Sequence, residues 1–299
     1  MAYNMSSSPI DDKKRRNNID GAHSKIAAHP AIIIRPRKSI DTSDLLEILQ
    51  FRTVIYFLIW RDFKVRYRQT FLGLLWAILQ PLASMVVFSL VFSRLAGISS
   101  DGVPYSVFVL AGLLPWGYFS HALASASSSL TNNRDLLKRV YFPRLIIPMA
   151  AILSCVTDLL TSLGLLLLVM FALGVPVSLN IVFLPFFLLI AIAAALGAGA
   201  ALAAAHVRYR DVGYITPFAI QILLFLTPVV YPSSLIPASW RLVYGLNPMA
   251  GVVEGVRWCM LNIPPHPEMI VVSAISTLAI LLGGLYYFQR SERIFADIV

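Results

Sequence analysis

The chain has 299 residues, of which 58% are hydrophobic and only 13% carry a charge. Soluble domains average roughly 25% charged residues, so the composition excludes a water-soluble globule, and the high hydrophobicity excludes disorder for most of the chain. The class is integral membrane protein, and the formal net charge of +9 fits either an anionic membrane surface or nucleic acid until the cations are placed.

The N-terminal residues 1–40 are polar and contain prolines at 9, 30 and 36. Such a segment cannot bury enough apolar surface to offset its ordering entropy, so we expect a disordered tail. Its first 18 residues have no apolar stretch, and we expect no cleaved signal peptide.

Residues 41–70 predict an interfacial amphipathic helix that runs into a basic helix. The apolar residues from Leu45 to Ile59 are interrupted, because Arg52 and Arg61 bracket only eight residues, whereas a spanning helix needs roughly 20. The stretch from Arg61 to Arg68 is too charged to enter hydrocarbon. We therefore expect this region to lie at the membrane surface.

Six long apolar segments follow, each about the length that crosses a ~30 Å hydrocarbon core as a helix. Their hydrophobicity is continuous, without the alternation of a membrane barrel, so the predicted fold is all-α. The six predicted spans cover residues 71–93, 105–130, 145–173, 181–205, 213–231 and 269–288. Prolines should kink or interrupt several of them, at positions 81, 115, 148, 217 and 228.

The cations predict the orientation of the spans. With the N-terminus in the cytoplasm, 21 of the 24 Lys and Arg residues lie inside, and only Arg94, Arg241 and Arg257 lie outside. This bias predicts six spans with both termini in the cytoplasm. It also accounts for most of the net charge without nucleic acid, which we do not expect as a partner.

Residues 232–267 are too polar to span and too apolar for a plain loop. We interpret them as one or two short helices that dip into the outer leaflet as a re-entrant hairpin, with Asn247-Pro248 as the breaker. A surface helix resting on the outer interface is the alternative.

The sequence contains no recognisable catalytic or metal site. No Lys follows a Gly, so a Walker A phosphate loop is absent, and there is no HExxH. His121 in the second span is interpreted as a polar packing residue, with a proton relay as the alternative. Cys155 and Cys259 are interpreted as small core residues. We expect no catalytic residue and no cofactor on this chain.

Asp158 is the only carboxylate inside a predicted span. Intramembrane acids are costly and face a bundle interior or a wet cavity. One interpretation is a structural carboxylate that is hydrogen-bonded to a neighbouring helix, and the other is a coupling-ion or proton site.

Aromatic residues in two spans are candidates for a substrate path. In the fifth span a stripe with offsets 0, 4, 7 and 11 lies on one helical face, where apolar rings could stack on sugar rings. Bundle packing is the alternative. The stripe is Tyr214, Phe218, Gln221 and Phe225, and the first span adds Trp76, Phe88 and Phe92, less neatly aligned.

Two inner loops are candidates for docking a soluble partner, because they mix cations with apolar residues that a merely topological loop does not need. The first follows the second span and contains Asn133, Arg134, Leu136, Leu137, Lys138, Tyr141 and Phe142. The second follows the fourth span and contains Arg208 and Arg210.

From about Leu45 to the C-terminus the sequence resembles the permease subunits of ABC-2-type polysaccharide exporters. The basic helix running into Phe71-Leu72-Gly73-Leu74-Leu75-Trp76-Ala77-Ile78-Leu79-Gln80-Pro81 is the most specific piece. Three further pieces follow in the order that the family shows. They are the loop at 133–144, Arg208-Tyr209-Arg210-Asp211-Val212, and Asn247-Pro248 with residues 254–257.

The resemblance implies a homodimer in the bacterial inner membrane that pairs with two separate ABC ATPase subunits, which bind ATP and magnesium. The substrate would be an undecaprenyl-pyrophosphate-linked polysaccharide, of the O-antigen, capsule or teichoic acid type. The first and fifth spans would line its path, and the two inner loops would form the ATPase coupling surface.

The resemblance also implies gates at both ends of the path. The inner gate, which could contact the lipid pyrophosphate, would contain Arg61, Lys64, Arg66 and Arg68. The outer gate helices would contain Trp240, Asn247, Pro248, Glu254 and Arg257. Ordinary positive-inside residues explain the four inner cations equally well.

Two other functions fit parts of the sequence. One is an ABC-2 permease for a drug or another lipid, which should show fewer aromatics along its path. The other is an ion-coupled secondary transporter that uses Asp158.

Overall fold

The structure is a computed structural model that describes residues 50–68, 75–139 and 142–298, without the side chains of residues 67–68 and 293–298. The predicted tail, residues 1–40, lies outside the described residues. Within the described residues the secondary structure is helical and contains no strand.

The helices follow one another closely along the chain. They are α1 (Arg52–Arg68), α2 (Leu75–Phe88) with a π-helical extension (Ser89–Leu95), α3 (Tyr105–Asn132), α4 (Arg134–Arg139), α5 (Ile146–Ser154), α6 (Val156–Ala172), a 3-10 turn (Leu179–Phe183), α7 (Leu184–Arg208), α8 (Val212–Leu226), a 3-10 turn (Ser233–Leu235), α9 (Ala238–Gly245), α10 (Pro248–Leu261) and α11 (Pro267–Ile298).

Five helical segments among the described residues are long and apolar enough to cross a membrane. They are Leu75–Leu95, Tyr105–Asn132, Ile146–Ala172, Leu179–Arg208 and Pro267–Glu292. They coincide with five of the six predicted spans.

The predicted fifth span differs from the structure in length. Helix α8 ends at Leu226, five residues before the predicted end, and is apolar but only 15 residues long. Pro228 cannot donate a backbone hydrogen bond, and the chain continues from Thr227 in an extended conformation. A complete sixth crossing is therefore not evident from helix length alone.

Three of the predicted prolines do not interrupt their helices. Pro81, Pro115 and Pro217 lie inside helices that continue past them. The third span breaks instead at Cys155, where the backbone leaves regular α-helical geometry with ψ −10°. Near this break the side-chain hydroxyls of Ser154, Thr157 and Thr161 each donate to the backbone carbonyl three or four residues earlier. Such hydrogen bonds bend helices.

Helix α1 runs without a break from Arg52 in the predicted interfacial segment to Arg68 in the basic segment, and residues 41–49 and 69–70 of the predicted region lie outside the described residues. Leu58 on its inner face is buried in a cluster with Leu130, Phe142 and Ile146. Tyr56, Phe57 and Trp60 remain exposed. The helix therefore packs on the ends of the bundle helices with one face rather than lying on the membrane surface alone.

The main core surrounds α3, whose residues from Val107 to Ala111 are completely buried. Among the described elements, α7 and α11 form the most extensive helix pair. Gly197 of α7 and Gly284 of α11 lie at their contact, where small residues allow two backbones to approach closely.

The segment before the last span contains the two short helices that the sequence predicts, α9 and α10, separated at Asn247. Thirteen of the 14 residues of α10 are buried, against α3, α7 and α11. The alternative of a helix resting on the outer interface is therefore wrong for α10. The position of this hairpin in the membrane stays a prediction.

Candidate functional site

The end of the basic helix contacts the third span through an ion pair. Arg66 Nη1 donates to Asp158 Oδ2 at 2.5 Å, and Arg66 Nη2 donates to Cys155 Sγ at 3.4 Å. The two charged side chains are 30% and 14% exposed. Asp158 is thus hydrogen-bonded to a neighbouring helix, and its partner comes from α1 rather than from another span.

The other predicted inner-gate cations have different surroundings. Arg61 pairs with its neighbour Asp62 at 2.8 Å. Lys64 lies over the ring of Trp60 at 5.1 Å, a cation–π contact. The side chain of Arg68 lies outside the described residues. The structure therefore separates Arg66, which reaches into the bundle, from cations at the helix surface.

The first inner loop folds into the short helix α4, which presents charge rather than apolar residues. Arg134, Lys138 and Arg139 are exposed, whereas Leu136 and Leu137 pack against the inner core cluster. Both leucines are half-buried against the cluster around Ile146, and their part in a docking surface stays a prediction.

Two other predicted residues of the first loop, Asn133 and Phe142, make contacts within the chain. Phe142 is buried in the same cluster, so the expectation that it is exposed for docking is wrong. Asn133 ends α3 and donates from Nδ2 to the Ser129 carbonyl at 2.8 Å, which leaves it little freedom to bind a partner. Tyr141 lies outside the described residues.

The second inner loop presents exposed Arg208 and Arg210. Just before it, His206 Nδ1 lies 3.0 Å from the Ser127 carbonyl of α3. The Ser127 hydroxyl lies 3.2 Å from Thr216 Oγ1 of α8. Ser127 therefore connects this loop with the helix that carries the aromatic stripe.

The stripe on α8 lies on an exposed face along its whole length. Tyr214 and Phe218 are 84% and 64% exposed, and Gln221 and Phe225 are exposed as well. The opposite face is directed toward α3, where Thr216 is buried. Bundle packing within this chain therefore does not explain the stripe.

The aromatic residues of the first span divide into two kinds. Trp76 is exposed, like the stripe. Phe88 and Phe92 contact each other, with ring centroids 5.9 Å apart, and both pack against the main core. Only Trp76 resembles the stripe residues in its exposure, because the helix turns the two phenylalanines toward α3.

Arg257 is buried and binds the chain that follows the stripe helix α8. Its guanidinium donates to the carbonyls of Pro228 at 2.6 Å, Val229 at 2.5 Å and Tyr231 at 3.4 Å. It also lies 3.6 Å from the centre of the Phe108 ring. Backbone carbonyls and an aromatic face therefore surround the charge of Arg257, which the sequence counts among the outside cations.

One helical turn away, Glu254 ties α10 to the start of α11. Its Oε1 accepts from the backbone N–H of His266 at 2.9 Å and from Ser233 Oγ at 2.9 Å, and lies 2.5 Å from His266 Nδ1. Glu254 is thus a connecting residue of the outer segment. Sequence reasoning missed Ser233 and His266, which lie 21 and 12 residues away from it.

Asn247 performs two functions at the junction of α9 and α10. Its Oδ1 accepts from Met249 N at 3.0 Å and so caps α10, with Pro248 at the first helical position. Its Nδ2 donates to Thr227 Oγ1 at 2.8 Å, at the end of α8. Trp240 is exposed on α9. The outer segment and the stripe helix are therefore connected at two points, Asn247 and Arg257.

In the part of the chain that the structure describes, no three His, Cys, Asp or Glu residues are grouped in a way that could hold a metal ion. Cys155 and Cys259 are free and buried.

Comparison with known proteins gives consistent matches. The family model described as ABC-2 type transporter matches residues 53–261. The O-antigen export system permease protein RfbA of Myxococcus xanthus is 30% identical over 82% of this chain and 95% of its own length. A protein of the same name from Klebsiella pneumoniae is 24% identical, over 80% and 92%. The polysialic acid transport protein KpsM of Escherichia coli is 24% identical, over 78% and 91%.

Proposed function

Because the chain belongs to the ABC-2 type transporter family, we propose that it is the permease subunit of an ATP-driven exporter that moves undecaprenyl-pyrophosphate-linked polysaccharide from the cytoplasm across the bacterial inner membrane. The family and the five apolar helices make it a multi-pass membrane protein. The polysaccharide is proposed to be of the O-antigen class, as the names of the relatives in Myxococcus and Klebsiella suggest.

The exposed aromatic stripe on α8 is the observation that carries the glycan proposal. Tyr214, Phe218 and Phe225 expose aromatic rings, and Gln221 exposes an amide on the same helical face. Sugar rings offer apolar C–H faces that stack on such rings, while their hydroxyls remain hydrated or contact the amide. A permease for a small drug does not need a continuous row of aromatic rings, because a small ligand contacts only a few residues at once.

The proposed path runs along α8, and both ends of this helix are held by contacts with other parts of the chain. On the inner side Ser127 joins α8 to the second inner loop, and on the outer side Asn247 and Arg257 hold the end of α8. Six spans, cytoplasmic termini and a homodimer with paired α2 and α8 faces belong to this proposal. The family resemblance and the exposed faces of both helices support it.

The surroundings of Asp158 favour this proposal over an ion-coupled transporter. A coupling carboxylate must bind and release a proton or cation during each cycle. Asp158 instead accepts a hydrogen bond from the permanently charged guanidinium of Arg66, which competes with such an ion.

Energy for transport is proposed to come from separate ATPase subunits, because the sequence has no Gly-Lys pair for a phosphate loop. The exposed cations of α4 and of the second inner loop offer the docking surface. Since Leu136 and Leu137 are turned inward, electrostatic complementarity rather than apolar contact is expected to dominate at α4.

Reversing two charges on α4, with Lys138→Glu and Arg139→Glu, is expected to weaken ATPase binding about tenfold or more. Both side chains are exposed, so folding should be preserved. Co-purification of the ATPase with the tagged permease, and ATP hydrolysis by the complex, measure the effect.

The matched control is Arg94→Glu. Arg94 is an exposed cation at the end of the first span that is predicted to face away from the inner loops. It should leave ATPase binding unchanged. Equal co-purification of the α4 variant and the wild type would show that α4 is not the docking element. Robust ATP hydrolysis by the permease alone would contradict the proposed function itself.

A further inference from the structure

The ion pair between Arg66 and Asp158 lies near the middle of a helical segment that is long and apolar enough to cross a membrane. Residue 158 is close to the middle of the apolar segment Ile146–Ala172, ~18 Å from its inner end at 1.5 Å per residue. Helix α1 therefore carries a guanidinium from the inner surface into the bundle. A cation that only sets topology has no need of this depth.

The pair is also accessible. Arg66 is 30% exposed and Asp158 is 14% exposed, and His121, which interacts electrostatically with both, is exposed on α3. A polar group on a spanning helix is tolerated where it faces a wet cavity or another part of the protein. A ligand that enters from the side of His121 can therefore reach the guanidinium.

Arginine binds carboxylate and phosphate oxygens through the same planar set of N–H donors. Asp158 consequently occupies a position at Arg66 that a phosphate oxygen could take. A pyrophosphate offers more charge and more acceptor oxygens than one carboxylate, so it can displace Asp158 where a neutral lipid cannot.

We propose that Asp158 is an internal competitor that holds Arg66 until the pyrophosphate headgroup of a polyprenyl-linked substrate replaces it. This inference rests on the proposed function and specifies how the substrate's lipid end is detected. The exchange releases the end of α1 from α6, so that headgroup binding changes the position of the inner helix relative to the third span.

A competitor lowers the apparent affinity of the ligand, because only the fraction of protein with a released Arg66 is ready to bind. Asp158→Asn is therefore expected to bind a polyprenyl pyrophosphate about fivefold more tightly than wild type. Arg66→Gln should bind about tenfold more weakly. A residue with a purely structural function would not raise affinity when it is removed.

The measurement uses the full-length protein in nanodiscs of neutral lipid, titrated with polyprenyl pyrophosphate. Asp62→Asn is the matched control, because Asp62 pairs with Arg61 on the same helix at 2.8 Å, and its affinity should equal that of wild type. The uncharged polyprenol should not distinguish the variants. Phosphatidylglycerol should not distinguish them either, and if it does, the site recognises anionic phospholipid and the proposal is overturned.

A second measurement leaves the pair intact, in case Asp158→Asn folds poorly. Spin labels at Val65→Cys and Leu160→Cys, both at exposed positions, report the distance between α1 and α6. Polyprenyl pyrophosphate should lengthen it by several ångströms, and polyprenol should not. Unchanged distances, or a folded Asp158→Asn protein with unchanged or weaker binding, overturn the exchange but leave the exporter proposal standing. Failure of wild type to bind the lipid overturns both.

Discussion

Replacing Gly284 by Ala is expected to destabilise the protein by ~2 kcal/mol or more, because it forces apart the two most extensively packed helices. A Cβ at Gly284 would overlap the backbone carbonyl of Gly197 in α7, and a Cβ at Gly197 would come within 2.5 Å of the Ile280 carbonyl in α11. Both obstacles are backbone atoms, which cannot move aside as a flexible side chain can. The loss should lower the melting temperature in detergent by roughly 5 °C or more.

Gly283 is the matched control, because it is the neighbouring residue on the same helix. A Cβ there meets no heavy atom within 4 Å. Gly283→Ala should be neutral or stabilising by up to ~1 kcal/mol, since Ala is the better helix former. Equal melting temperatures for the two alanine variants would show that α7 and α11 do not approach as closely as the structure describes.

Replacing Arg257 by Met is expected to have an equally large effect, ~3 kcal/mol or more. The carbonyls of Pro228, Val229 and Tyr231 would lose the donor that Arg257 supplies to them in the protein interior. Methionine preserves much of the apolar volume next to Phe108, so the loss reports the hydrogen bonds and the charge. Arg257→Lys should rescue little, because a single ammonium cannot reproduce the planar fork.

Arg241 provides the control for this outer segment. It pairs with Glu268 at 3.4 Å in a partly exposed position, so Arg241→Met should change stability by no more than about 1 kcal/mol. Thermal unfolding of the purified variants measures both effects. An Arg257→Met protein as stable as Arg241→Met would show that the hydrogen bonds from Arg257 to the three carbonyls are not needed to hold the end of α8.

The sequence predicts the class of protein, five of the long apolar segments, and the break between α9 and α10, because each depends on local properties. Apolar length indicates a span, and Asn247-Pro248 is both a helix cap and a helix start. The exposed face of α8 also follows from helical spacing alone, since Tyr214, Phe218, Gln221 and Phe225 repeat with its turn.

Long-range contacts account for the predictions that are wrong. Phe142 is predicted to be exposed because part of the cluster that buries it comes from the distant helices α1, α7 and α11. The surroundings of Arg257 are not predicted either, because the carbonyls that bind it lie 26 to 29 residues earlier in the chain. Hydropathy and charge counting describe single segments, and neither identifies partners from elsewhere.

For the Arg66–Asp158 pair, the sequence predicts the unusual residues but not the contact between them. The sequence identifies both residues as unusual, Asp158 by its place inside a span and Arg66 by its place in a basic helix. It does not connect them, because they are 92 residues apart and because an interfacial helix is expected to keep its cations in the headgroups. Packing of Leu58 into the inner cluster is what draws the helix end toward Asp158.

The most direct test of an ATP-driven permease is transport by proteoliposomes that contain this chain with or without an ABC ATPase from the same organism. Polyprenyl-pyrophosphate-linked polysaccharide should cross the membrane only when ATPase, ATP and magnesium are all present, and an ion gradient should not replace them. Transport by the chain alone on a proton or sodium gradient, abolished by Asp158→Asn, would contradict the proposal and establish a secondary transporter.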